Sequence, residues 1–117
     1  MVTDYAIAVR FGDNLLDYGF TSIPNLLLFN YTGLGISNQE LVFILHLLSF
    51  WWGRANPYPS LGLIADRMGI TWRQAHRYAH SLEEKQYLII TQRISESGRK
   101  TTNEYNFSPL LKALQQV

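Results

Sequence analysis

The sequence predicts a mainly α-helical chain closed by a small β-hairpin, an α+β fold. Three observations carry this. Apolar residues recur at helical spacing in three separate runs, Ser and Thr stand where those runs begin, and two β-branched stretches flank a glycine-containing loop.

Taken in chain order, Tyr5-Ala-Ile-Ala-Val-Arg-Phe11 alternates large and small residues with a period of two. This predicts a strand with Tyr5, Ile7, Val9 and Phe11 on one face. A lone strand is unstable, so it either joins the hairpin of its own chain or reaches a second subunit. A short helix follows from about Pro24 to Tyr31, because proline suits a first helical turn and Leu26 to Phe29 are apolar. Ser37 and Glu40 form a capping box that opens a helix through about Trp52. Its stripe is Leu41, Ile44, Leu45, Leu48 and Trp52, yet Val42, Phe43, Leu47, Phe50 and Trp51 make it apolar nearly all round, so more than one face must be covered. His46, inside this run, reads as a partly buried structural residue.

Ser60 caps the next helix, with Pro59 discouraging an earlier start, and Leu61, Ile64, Ala65 and Met68 form its buried stripe. Gly69 stops it in the left-handed conformation. Thr71 caps a further helix that runs to about Lys85, in which Ala75, Tyr78, Ala79 and Leu82 face inward. Arg73, Arg77 and His80 fall on the opposite side, flanked by Gln74, His76 and Ser81. A helix with a cationic, donor-rich face has the width of the B-DNA major groove, and its first residues are the ones that reach base edges. Arg73 and Gln74 are therefore candidate base contacts, Arg77 a base or phosphate contact, and His76 and His80 auxiliary ones. Trp72 either packs on the helix flank or lies on a sugar or thymine methyl.

Leu88 to Ile94 and Thr101 to Phe107 read as the hairpin strands. Gly98 supplies a positive-φ turn position in the loop, beside Arg99 and Lys100, with Arg93 before and Thr101 after; this cationic tip suits phosphate. Ser108 and Pro109 then open a short helix over Leu110 to Leu114.

This order of helix, turn, helix and hairpin resembles the winged helix-turn-helix. Ile23-Pro-Asn-Leu-Leu, Leu34-Gly-Ile-Ser-Asn-Gln-Glu-Leu41, Tyr58-Pro-Ser-Leu61, Ile64-Ala65, Met68-Gly69 and Ser81-Leu-Glu-Glu-Lys85 are similar, more narrowly, to the N-terminal domain of DnaD-type primosomal proteins and of plasmid and phage replication initiators. The resemblance covers roughly residues 20 to 110 and implies a role in replication initiation or primosome assembly, with transcription regulation as a neighbouring use of the same pattern. One departure matters: a glycine commonly stands between the second helix and the hairpin in that family, and here the place is Gln86.

With 117 residues and 47% hydrophobic composition the chain suits one domain, divided into a strand and helix extension (1–36), the helix-turn-helix with its wing (37–107) and a terminal helix (108–117). Cysteine is absent, which removes disulfides, thiolate zinc sites and a cysteine nucleophile. His76 and His80 stand at i, i+4, but no third ligand is evident, so no metal or cofactor is expected. No catalytic constellation stands out, and an enzyme is not expected. The start lacks a signal-peptide pattern, and no apolar run reaches the ~18 residues that span a bilayer, so a cytoplasmic protein off the membrane is expected. Residues 1–52 carry one cation against four anions, and residues 53–117 nine against five, so the net charge of +1 hides a polarity of −3 and +4. The expected partners are double-stranded DNA through the basic half, at about micromolar strength or weaker on random sequence, a second copy through the N-terminal region, and replication proteins. The rival reading is an oligomerisation scaffold that does not touch DNA.

Overall fold

The computed structural model describes residues 4–51 and 53–117, with Asp4 and Tyr5 as backbone alone. The elements are α1 (Asp4–Phe11), α2 (Asp13–Leu16), α3 (Asn25–Asn30), α4 (Asn38–Leu48), α5 (Leu61–Met68), α6 (Trp72–Glu84), β1 (Ile89–Ile94), β2 (Lys100–Asn106) and α7 (Ser108–Gln115). The mainly helical fold with one antiparallel hairpin is the α+β class expected.

One expectation fails. The segment read as an N-terminal strand is the helix α1. A strand without a partner leaves its backbone groups unpaired, whereas a helix pairs them internally. Ala6 and Ala8 are strong helix formers, Arg10 in the last turn complements the helix dipole, and the chain turns at Gly12 with φ 82°. The Gly12 amide still bonds the Ala8 carbonyl at 2.7 Å. In a helix, residues four apart share a side and residues two apart do not, so Ile7 and Phe11 lie together and Val9 points away from them.

Further on, local signals hold. At α4 the Ser37 hydroxyl accepts from the Glu40 amide at 3.0 Å, and Glu40 Oε1 accepts from the Ser37 amide at 2.8 Å. The Ser60 hydroxyl accepts from the Leu63 amide at 3.1 Å. Helix α4 ends at Leu48, short of the expected Trp52, which lies outside the described residues; the Phe50 and Trp51 amides bond three residues back, to Leu47 and Leu48, and tighten the chain out of the α-helix. Ser108, expected as the cap of the terminal helix, is instead the first residue of α7: Phe107 holds the cap position without a side-chain bond, and the side chain of Asn106 accepts from the Ser108 amide at 2.8 Å.

Helix α4 packs on α5 and α6, α5 packs on α6, and α3 meets α7. Phe43, Ile44 and Leu47 from α4 join Ile64, Ala75, Ala79 and Leu82 in the core, and Leu27, Leu88, Tyr105, Phe107, Leu110 and Leu114 close it. The small alanines of α6 permit the close approach, and the Phe43 and Tyr78 rings meet at 6.4 Å. So α4 is covered on several sides, as its all-round apolar sequence requires, and burial lowers the pKa of its half-buried His46, with the nearby charge of Arg67 adding to this. Tyr105 is pushed up to about 12 by burial, against a weaker opposing bond from Asn103.

The strands pair antiparallel with Ile90 opposite Tyr105 and Gln92 opposite Asn103; the register then shifts so that Ile94 faces Lys100. Outside β2 lies the extended segment before α5: the Tyr105 amide donates to the Pro57 carbonyl at 2.9 Å and the Thr102 hydroxyl to the Tyr58 carbonyl at 2.6 Å.

Three chain reversals share one geometry. The Gly35, Gly69 and Gln86 amides bond back to Thr32, Asp66 and Glu83, and the following amides of Ile36, Ile70 and Tyr87 bond back to Tyr31, Ala65 and Leu82. This is the Schellman ending, which places its turning residue in the left-handed region. Gln86 is there at φ 65°, where a Cβ is strained. Gln86→Gly is expected to stabilise the fold by roughly 0.5–1 kcal/mol, the relief of strain exceeding glycine's extra unfolded-state entropy. Urea unfolding checks this, with Gly35→Gln as the opposite change; a destabilised Gln86→Gly would contradict it.

Candidate nucleic-acid and assembly surfaces

Helix α6 starts on a second capping box. The Thr71 hydroxyl accepts from the Gln74 amide at 3.1 Å, and Gln74 Oε1 accepts from the Thr71 amide at 2.9 Å. Thr71 is thus a cap, as expected, and the Gln74 side chain is engaged in the same turn, which limits its reach as a base contact. Arg73 and Arg77 are exposed, and neither has an ion-pair partner among the described residues.

Trp72, 58% exposed, lays its ring beside that of His76 at 5.1 Å, and His76 lies near-parallel to His80 at 6.5 Å. His80 Nε2 stands 3.1 Å from Glu84, and Nδ1 3.7 Å from Glu83. The i+3 and i+4 spacing of those glutamates was the readable sign that His80 has carboxylate neighbours. Among the described residues no group of metal-ligating side chains is assembled.

The hairpin cations divide. Arg93 is half-buried, with its guanidinium 4.0 Å from the Tyr58 ring centroid and Nη1 bonded to the Thr102 hydroxyl at 3.2 Å. It fastens the hairpin to the segment before α5 and is not turned outward with the tip. Arg99, Lys100 and Thr101 are exposed there, and Gly98 takes φ 84° in the turn. The Thr101 hydroxyl bonds the Arg93 carbonyl at 3.3 Å.

Lys85 has a structural post. Its ammonium donates to the Gly35 carbonyl and to Glu40 Oε1, each at 2.7 Å. Glu40 is buried. Burial pushes its carboxyl up, but the Lys85 bond, the Ser37 amide, the Ser81 hydroxyl and the charge of Lys85 together outweigh it and hold the pKa below the ordinary 4.5.

The N-terminal surface is apolar. Ile7 and Phe11 line a groove of about 550 Å³ with Leu15, Leu16 and Phe20, while Val9 is exposed elsewhere on α1. The side chain of Tyr5, the fourth expected interface residue, lies outside the described residues. Leu15 and Phe20 escaped the sequence reading because Gly12 breaks the helix, although the Ile7–Phe11–Leu15 spacing of four is visible in the sequence. Tyr18 is 98% exposed, Phe29 70% and Leu15 67%. No helix among the described residues is long and apolar enough to cross a membrane.

No curated protein matches the chain significantly. Among solved structures, the N-terminal domain of DnaD protein from Geobacillus kaustophilus HTA426 superposes with a TM-score of 0.67 at 25% identity, over 98% of this chain and 89% of that one. The DnaD N-terminal domain family matches residues 23–117, from just before α3 to the end of α7. With that match over most of its length and the same overall fold, the chain belongs to the DnaD N-terminal domain family.

Proposed function

We propose that the chain is a single-domain, non-catalytic assembly unit of DNA replication that self-associates through residues 1–36, acts in the cytoplasm and meets replication proteins. The observation that carries the self-association is the run of large apolar side chains left in solvent from Val9 to Phe29, with Phe11, Leu15, Tyr18, Phe20, Leu26 and Leu28 between them. Large apolar side chains exposed in such number within one stretch of chain, with Phe11, Leu15 and Phe20 among them lining one groove beside Ile7 and Leu16, are what an interface would cover. Family membership supports the replication setting. Light scattering across a dilution series tests it: the parent chain is expected to exceed 13.5 kDa, and Phe11→Ser with Leu15→Ser to return to that single-chain mass with its helical signal intact. A parent chain at single-chain mass throughout would overturn the proposal.

A second reading is favoured by Arg73 and Arg77, both exposed on α6 and without an ion-pair partner among the described residues, with Arg73 in the first turn where the helix dipole also attracts phosphate. Here α6 meets double-stranded DNA through Thr71, Trp72, Arg73, Gln74, His76, Arg77 and His80, and the hairpin adds Arg99, Lys100 and Thr101, with Arg93 bracing it. The same contact would serve transcription regulation.

A further inference from the structure

The outer face of α6 carries flat rings more than it carries edge-reading groups. Trp72, His76 and His80 stand four residues apart, so their rings stack up the helix one turn at a time, with interplanar angles of 29° and 14°. Trp72 is the first residue of the helix and remains 58% exposed, its ring set in orientation by His76. A cation follows each of the first two rings: Arg73 after Trp72 and Arg77 after His76, both exposed. At the far end His80 faces the carboxylates of Glu83 and Glu84. The ladder is therefore cationic at its beginning, where the helix dipole is also positive, and anionic at its end.

That arrangement suits one state of nucleic acid better than another. In a duplex the base faces are covered by their neighbours and only edges show in the groove, to be read by hydrogen-bonding side chains. The amide best placed to do so, Gln74, is engaged with Thr71. Unpaired bases expose whole π-faces, which aromatic side chains bind with little regard to sequence while cations track the phosphates.

We propose that the first two turns of α6 form a stacking site for single-stranded DNA, with a base on the Trp72 indole, His76 supporting that indole, and phosphates against Arg73 and Arg77. The proposal rests on the reading that α6 faces DNA and narrows it to unpaired bases.

The test is fluorescence anisotropy of labelled oligo(dT), oligo(U) and a duplex of equal length, titrated with the full chain and its Trp72→Leu, Trp72→Phe and Arg73→Glu/Arg77→Glu variants. Circular dichroism confirms that each variant is folded. Oligo(dT) is expected to bind, with Trp72→Leu weakening it roughly 5- to 150-fold and Trp72→Phe retaining most of the affinity. Duplex affinity is expected to change little with Trp72→Leu. Equal oligo(dT) affinity in the parent and Trp72→Leu overturns the stacking site. If duplex binding is then lost in Arg73→Glu/Arg77→Glu, the broader reading of a DNA-facing α6 stands. Absence of binding to every oligonucleotide at low salt removes both. Binding of oligo(U) without oligo(dT) overturns the assignment to DNA and gives the site to RNA.

Discussion

Lys85→Met is expected to destabilise the fold by about 3 kcal/mol at neutral pH and by far less in acid. Removing one partner of a buried pair leaves the other charge without compensation, at a cost of roughly 3–5 kcal/mol, and the partial exposure of Lys85, 35% for its side chain, holds the value at the lower end. The pH dependence follows from Glu40. Its folded pKa lies below the ordinary 4.5, so its contribution to stability is fully present above that value and is lost as pH falls through the folded one. Once Glu40 is protonated, the substitution removes only a neutral contact and the bond to the Gly35 carbonyl. Urea unfolding of both proteins at pH 7 and near pH 3 measures the difference. An equal loss at both would assign the role of Lys85 to packing or to Gly35. Glu40→Gln, which keeps the shape and an acceptor for the Ser37 amide, is expected to cost less.

Phe107→Ala is expected to cost a comparable 3–4 kcal/mol by a different route. Phe107 is 2% exposed, at the junction of the hairpin and α7, and its ring stacks on Trp51 at 5.8 Å with an interplanar angle of 26°. It also lines a hollow of about 250 Å³ with Leu27, Leu110 and Leu114, which Thr21, Ser22 and Ser49 border as well. Truncation removes the ring from water-free surroundings and enlarges that hollow, which the neighbouring helices close only in part. Phe107→Leu, closer in volume, is expected to cost about 1 kcal/mol. Equilibrium unfolding with tryptophan emission as the probe separates the two. A loss below 1 kcal/mol for alanine would mean that α7 settles into the space.

What could be read from the sequence was what depends on neighbours in the chain. The caps Ser37, Ser60 and Thr71, the reversal at Gly69 and the strain at Gln86 were legible because each is set within about four residues. The turn between α5 and α6, and the hairpin, followed from them. Helix α1 reads as a strand in the sequence because large apolar residues alternating with Ala6, Ala8 and Arg10 satisfy a period of two as well as a helix, and only the absence of a pairing partner decides. Long-range pairings left no local trace. Lys85 and Glu40 are 45 positions apart, and neither their bond nor the seating of Arg93 on Tyr58 is written in any spacing. The consequence for the site is direct: of the cations counted toward DNA, Arg93 is engaged within the fold, and the net charge of the basic half overstates what it offers a polyanion.

The segment of Pro57 and Tyr58 along β2 bears on aggregation and on recruitment. A two-stranded ribbon has two open flanks, each a template for an extended chain. Here the flank of β2 is occupied at Thr102 and Tyr105 by the molecule's own backbone. An incoming strand, whether from a partner or from a misfolded neighbour, therefore meets at β2 a side already bonded at the Tyr105 amide and held at the Thr102 hydroxyl.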